Sequence, residues 1–347
     1  MKDYLHISDA QHKHFENLYA RYKRLYTDPD NCEPMFIINT PVEMPDWEVR
    51  LADPMVMLCS ELDAIRPHLE IGDDRVPTIR VQFGTAQVAA AFGCPVVIPP
   101  NNLPAIGGHI LNNAQDVYQM AVPDVNAGWY GKLWQWQELW LEHVPEGVHI
   151  QHPDIQSPFN SAHLIRGNDI MTDFYDEPAA LERLLDLVTD FMIKVTRHAR
   201  AMITTDNEWF FDWGALWKGA ARISNCSMHM IRPEFYREHV FARDIRLFEA
   251  LHGGRMHYCG SPDSVIDDFF KVPLITGLDY DPQYHNLWSI AQRAPKQVTV
   301  MQHSDDATLQ RLLKGDWPAK RNIILVLSAG SVEEAKALLR SLRQSVP

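Results

Sequence analysis

From about residue 78 to the end of the chain, strand-like and helix-like patterns take turns, and this alternation restricts the fold more than any other feature. Residues 79–83, 96–98, 148–151, 220–224, 255–259, 274–278, 297–302 and 322–327 read as short apolar strands. Between them lie helical patterns, the strongest over 177–202, where Pro178 opens a run with Leu181, Leu184, Leu185, Val188, Phe191 and Met192 on one side. Further helices are expected over 233–251, 283–293, 307–314 and 332–342. A strand–helix rhythm in steps of about 25 to 35 residues predicts parallel strands joined by right-handed crossovers. No G-x-G-x-x-G and no G-x-x-x-x-G-K-[ST] occurs, so neither nucleotide-binding loop is supported. The expected fold class is therefore α/β, a (β/α)8 TIM barrel with an N-terminal helical extension, rather than an open doubly wound sheet.

Ahead of the alternation, residues 9–27 carry Phe15, Leu18, Tyr19, Tyr22 and Leu25 at three- and four-residue steps and read as a helix. A Pro-rich passage follows (Pro29, Pro34, Pro41, Pro45, Pro54) and reads as an irregular arm. The expected division is an arm over 1–74 packed on a barrel over 75–347. The aromatic group Trp129, Tyr130, Trp134, Trp136 and Trp140 reads as core or as cover for a pocket.

Charge narrows the partners. With 32 basic and 45 acidic side chains the net charge is −13, which argues against nucleic acid or an anionic membrane. No apolar run is long enough to span a bilayer, and the first residues lack a signal-peptide core. Five scattered cysteines are not a disulfide framework. A soluble cytoplasmic protein acting on a small-molecule substrate is the expectation.

The sharpest chemical feature is Gly253-Gly254-Arg255-Met256-His257-Tyr258-Cys259-Gly260. Period two puts His257 and Cys259 on one side of a strand, and Gly260 lets the chain turn at its end. In a barrel, strand C-termini form the active-site mouth. The preceding strand ends in Asn225-Cys226-Ser227, so Cys226 is expected beside that pair. Cys, His and Cys supply three zinc ligands and leave the fourth position open, as catalytic zinc requires. The same H-x-C pair is equally readable as packing. Cys32, Cys59 and Cys94 have no such context and read as small buried apolar residues. His229 and His303 lie where they could line the same mouth. Asp154 and Asp279 each follow or end a strand, and each reads as a proton-moving carboxylate; Asp154 reads equally as a cap for the turn over 161–166. Arg80 and Gln82 share one strand face, so Arg80 is either an inward carboxylate binder or a surface ion pair.

Several segments resemble the uroporphyrinogen decarboxylase superfamily. Asp154-Ile155-Gln156-Ser157-Pro158, Ile165-Arg166-Gly167 and Phe174-Tyr175-Asp176-Glu177-Pro178 are similar to its "D-x-Q-G-P … LRG … D-x-Y-x-x-P", with Ser157 in place of Gly. Asn225 to Tyr236 resembles its "S-P-E-x-Y/F" helix start, with Arg232 in place of Ser, and the passage ending in Gly260 resembles its "H-x-C-G" strand. The resemblance spans about residues 75 to 340 and implies the same barrel. The arginine-rich N-terminal segment of true uroporphyrinogen decarboxylases has no counterpart here, which disfavours uroporphyrinogen as substrate. The other branch implies zinc-dependent methyl transfer with a corrinoid protein as partner, zinc being held by H-x-C and a later Cys. No Cys follows Cys259, and Ser331 stands about where that ligand would be, so Cys226 is the expected replacement. Gln156, Tyr258 and His303 join Arg80 and Gln82 as candidate substrate contacts. The alternative is a metal-independent decarboxylase of a small or cyclic acid, with Asp154 or Asp279 stabilising charge and Arg80 holding a carboxylate.

Overall fold

The computed structural model describes residues 4–261 and 263–347. Its strands are β1 (Met35–Asn39), β2 (Thr78–Ile79), β3 (Val96–Val97), β4 (Ala105–Ile106), β5 (His149–Ile150), β6 (Trp209–Asp212), β7 (Ala215–Lys218), β8 (Ala221–Ser224), β9 (Gly254–Tyr258), β10 (Ile275–Tyr280), β11 (Thr299–His303) and β12 (Ile323–Ser328). Six of them form one parallel sheet in the order β1-β12-β11-β10-β9-β8, and β2 pairs with β5, also parallel. At the two seams between these groups the chain supplies isolated bonds. Ser157 N donates to Ser224 O (2.9 Å), joining the segment after β5 to β8. Asp74 N donates to Phe36 O (2.7 Å), and the carboxylates of Asp73 and Asp74 accept from the backbone N–H groups of Ile38 and Phe36. Those carboxylates satisfy donors on β1 that a neighbouring strand would otherwise take. The α/β architecture is consistent with a (β/α)8 barrel.

The strands read as near-continuous apolar runs because both faces are covered. Ile323 to Leu327 are all buried, and so are Val300 and Met301. The outer helices bury one stripe each. In the helix Pro178–Ile203, Leu181, Leu184, Leu185, Val188, Phe191, Met192 and Val195 face inward. The helix Asp9–Thr27 begins in a capping box, with Ser8 accepting from Gln11 N and Gln11 Oε1 accepting from Ser8 N. Its buried face is Phe15, Leu18, Tyr22 and Leu25. Tyr130, Trp134, Trp136 and Trp140 are core residues, Trp140 being completely enclosed. No helix among the described residues is long and apolar enough to cross a membrane.

Three departures from the sequence reading have physical causes. Met35–Asn39, inside the segment read as an irregular arm, is a sheet strand paired with β12; the flanking prolines obscure a run whose first four residues are buried on both sides. Of residues 96–98, Val96 and Val97 form β3 in a two-stranded antiparallel ribbon with β4, not in the parallel sheet. The hairpin of β6 and β7 was not read at all. Its two-residue turn, Trp213-Gly214, has positive φ at both positions (53° and 69°), the primed turn that suits a tight hairpin. Tryptophan is a rare occupant of that conformation, so the usual Asn-Gly signal was missing.

The hairpin packs between the helix Asp9–Thr27 and the sheet. Tyr26 Oη donates to Leu216 O (3.1 Å), and Trp217 Nε1 donates to Asp212 O (3.0 Å). The Trp217 ring lies against β10 so closely that a Cβ on Gly277 would sit 2.2 Å from its Cζ3. Gly277→Ala should therefore destabilise the fold by about 1–3 kcal/mol, read as a lower urea midpoint with an unchanged slope.

Candidate metal centre

β8 and β9 run side by side with Ser224 opposite His257, and Asn225 N donates to His257 O (2.7 Å). Cys226 thus follows the end of β8 beside the end of β9, where His257 and Cys259 share a face. Donor atoms of Cys226, His257 and Cys259 all lie within 4.8 Å of one another. Gly260, at φ 80°, turns the chain away directly after Cys259, and the His229 ring occupies the place a Cβ would need, 2.6 Å away at Nδ1. Asn225 is held in turn: its Nδ2 donates to Asp244 Oδ2 (2.9 Å). Ser227 N donates to Asn160 Oδ1 (2.9 Å), so the loop carrying Cys226 is pinned from two sides.

The imidazole is oriented by Asp279, opposite it on β10. His257 Nδ1 donates to Asp279 Oδ2 (2.7 Å), so in the neutral ring Nε2 carries the lone pair available to a metal. Burial pulls the His257 pKa down, but the Asp279 charge and hydrogen bond outweigh it and raise the pKa to about 9. Asp279 would be raised by burial, yet Arg255 and His257 hold it at about 2. Hydrogen bonds from Cys226 and His257 lower the Cys259 pKa, whereas the bond to Cys259 and burial push Cys226 up.

Behind the triad lies a buried charge network that the sequence reading missed. Asp212, at the hairpin turn and 0 % exposed, pairs with Arg80, with Arg255 Nε (2.7 Å) and with Arg222 Nε (3.4 Å). Asp154 pairs with Arg222 and lies 3.7 Å from Arg80 Nη1, and Arg255 Nη1 donates to Asp279 Oδ1 (2.7 Å). Three arginines thus face three aspartates. Burial would raise the Asp212 pKa, but Arg255, Arg80 and Arg222 drive it far below the usual carboxylate range. A signal for the arginines was present: Arg255 is two residues before His257 on the same strand face, and Arg222 is two before Ser224. Nothing local marked Asp212.

The structure separates the other sequence-named residues. Arg80 is inward and buried, committed to Asp212 and Asp154, with Nε donating to His152 O (3.2 Å). The Gln82 backbone N–H is directed at the Met57 sulfur and its side chain lies near Glu61, which also accepts from Arg80 N. Gln156 Nε2 donates to Thr85 Oγ1 (3.1 Å). Asp154 is not a cap; Ser157 caps the helix Pro158–Arg166, accepting from Asn160 N. Tyr258 points to the face opposite His257 and is enclosed by Phe269, Tyr280 and His285. His303 is edge-on to Trp213, and its pKa is lowered by burial. His229 is exposed. All five cysteines are free; Cys32 and Cys94 are buried and Cys59 is partly exposed. Ser331 caps the helix Val332–Ser345, accepting from Glu334 N. Arg166 is occupied by both oxygens of Asp173 (2.8 and 3.1 Å).

The parallel α/β sheet defines the class of fold, and comparison with known proteins agrees on that fold. Residues 75–312 match the family described as uroporphyrinogen decarboxylase (URO-D), and the chain belongs to that family. No curated protein matches it. Among solved structures, a methyltransferase from Methanosarcina mazei superposes with a TM-score of 0.69 at 16% identity, covering 94% of this chain and 98% of that one. At that identity the likeness is one of fold.

Two outcomes follow from the buried carboxyls. Asp212→Asn keeps the shape but leaves the arginines uncompensated, and should cost about 3–5 kcal/mol in urea unfolding. Asp244 behaves oppositely: burial, against hydrogen bonds from Asn225 and Tyr236, raises it to about 7. A carboxyl with a raised folded pKa binds its proton more tightly when native, so its stabilisation is complete below the unfolded pKa of about 4. It is lost as pH rises through about 7. Stability measured from about pH 4 to pH 8 should therefore decline more steeply in the native protein than in Asp244→Asn.

Proposed function

We propose that this protein transfers a methyl group from a small methylated substrate to a thiol or to a corrinoid protein, using zinc held by Cys226, His257 and Cys259. The observation that carries this reading is the convergence of two sulfurs and one imidazole within 4.8 Å at adjacent strand ends. The donor set fits the ion. Zinc takes thiolate and imidazole ligands at about 2.0–2.3 Å, so its ligand atoms lie under about 4 Å apart and small side-chain rotations close the observed spread. Family membership and the methyltransferase of similar fold point the same way.

Bound there, zinc would supply Lewis-acid chemistry, lowering the pKa of an acceptor thiol or polarising the leaving group of a methyl donor. The chain's own residues prepare the site. Arg255 keeps Asp279 ionised, and Asp279 holds the His257 tautomer that presents Nε2. Asp279 is thus a positioning residue. Asp154, whose side chain keeps 17% exposure between Arg80 and Arg222, is the carboxylate of the network that can meet substrate and orient it or take a proton. Arg80, required to hold a carboxylate in a metal-free decarboxylase, is already paired with Asp212 and Asp154, so the metal-dependent reading has the stronger support.

Elemental analysis of the purified protein should give about one zinc per chain, and Cys226→Ser should weaken zinc retention by more than the 10–100-fold typical of outer-shell losses. Demethylation of a methylated donor with a thiol acceptor should stop in chelator and return on adding zinc. Metal content under about a tenth of an equivalent after growth in zinc, unchanged by Cys226→Ser, would remove the reading.

A further inference from the structure

A cavity of about 360 Å³ opens between the helix Asp9–Thr27, the C-terminal end of the helix Pro178–Ile203, β5 and the β6–β7 hairpin, and none of the three candidate metal ligands lines it. That size suits a small organic ligand. Its lining combines aromatic rings with aliphatic side chains such as Leu141, Val144, Ile203 and Leu216. The His149 ring stacks on Phe211 (4.3 Å, 22°), the His152 ring stacks on Phe210 (5.2 Å, 22°), and Trp209 adds a third face. Burial lowers both histidines to about 4, so their rings are neutral and the wall between them is weakly polar.

Charge and hydrogen bonding constrain the occupant further. Arg200 is buried and lines the cavity; among the described residues its hydrogen bonds all leave from Nη2, to the carbonyls of Asp206 and Trp209. Its other N–H groups remain for an anion. Lys23 stands at the rim, 5.4 Å from the Trp209 ring centre. Asp206, the one carboxylate in the lining, already accepts from Glu208 N and Trp209 N. His152 is 2% exposed, and its Nδ1 faces Pro153 O at 3.4 Å. Its Nε2 has no hydrogen-bond partner. With the proton on Nδ1, Nε2 is a buried acceptor lacking a donor, which is costly unless an occupant supplies one.

We propose that this cavity is a second binding site, for a flat aromatic carboxylic acid that carries a hydroxyl group. The carboxylate meets Arg200 and Lys23, the ring lies along the His–Phe stacks, and the hydroxyl donates to His152 Nε2. The site also touches the interior network, because His152 O accepts from Arg80 Nε.

The test is calorimetric titration of the intact protein with para-hydroxybenzoate, benzoate, phenol and cyclohexanecarboxylate. Para-hydroxybenzoate should saturate one site with a Kd at or below about 1 mM. Benzoate should bind about 3- to 10-fold more weakly, the measure of one hydrogen bond. Phenol and cyclohexanecarboxylate should each bind at least about tenfold more weakly, for want of the charge-assisted contact and of the flat ring. His152→Phe should erase the preference for para-hydroxybenzoate over benzoate. Ile203→Trp, at the half-buried edge of the cavity, should abolish binding while circular dichroism and zinc content stay unchanged; it decides the matter if His152→Phe does not fold. Absence of saturable binding below about 10 mM, or binding that Ile203→Trp leaves intact, overturns the proposal.

Discussion

Asp212 sits without solvent contact among Arg80, Arg222 and Arg255, and the interior of the sheet is organised around that meeting. Removing four charges from water costs several kcal/mol per ion, and only mutual attraction with satisfied hydrogen bonds offsets it. The pairs formed with Asp154 and Asp279 bring the count to three positive and three negative groups. The network ties the segment after β2 and the hairpin turn to the neighbouring strands β8, β9 and β10. It also reaches the surface chemistry: Arg255 fixes Asp279, Asp279 fixes His257, and His257 faces the two cysteines. A defect at the hairpin turn would therefore be felt at the candidate metal centre through three hydrogen bonds, Asp212 to Arg255, Arg255 to Asp279 and Asp279 to His257.

The cluster itself is assembled from two neighbouring strands rather than from opposite sides of the sheet. Cys226 arrives on the loop after β8, pinned by Asn225, Asp244 and Asn160. Ser331, which stands about where the superfamily's later ligand is expected, instead caps the last helix. The substitution of Ser157 for Gly has a comparable local explanation. Its hydroxyl caps the helix Pro158–Arg166, while its N–H bridges to β8. These two departures from the family pattern, at Ser331 and Ser157, are thus absorbed by capping, and positions that remain recognisable, such as Arg166 with Asp173, hold loops in place.

Much of this was legible in the chain. Apolar runs bounded by turn residues located β8 to β12 to within a few residues, and helical periodicity located the long helices, because burial on one stripe or both faces leaves a local signature. Period two placed His257 with Cys259, and the order of strands placed Cys226 beside them. The same rule could have marked Arg222 and Arg255 as inward. It was silent where local pattern and environment disagree: the strand Met35–Asn39 among prolines, the Trp-Gly hairpin turn, and Tyr258, whose neighbour His257 suggested a site while its own side chain faces the helical layer.

By itself, then, the sequence determined the alternating α/β architecture and which three side chains share a strand end, since both depend on spacings of a few residues. Only the tertiary structure decided that Asp212 would neutralise three arginines, that Arg80 would be occupied rather than open to substrate, and that His149 and His152 would wall a cavity with Phe210 and Phe211. Those partners come from elements far apart along the chain. Their pairing is set by the cost of leaving a charge or a lone pair buried without a complement, and no local spacing encodes it.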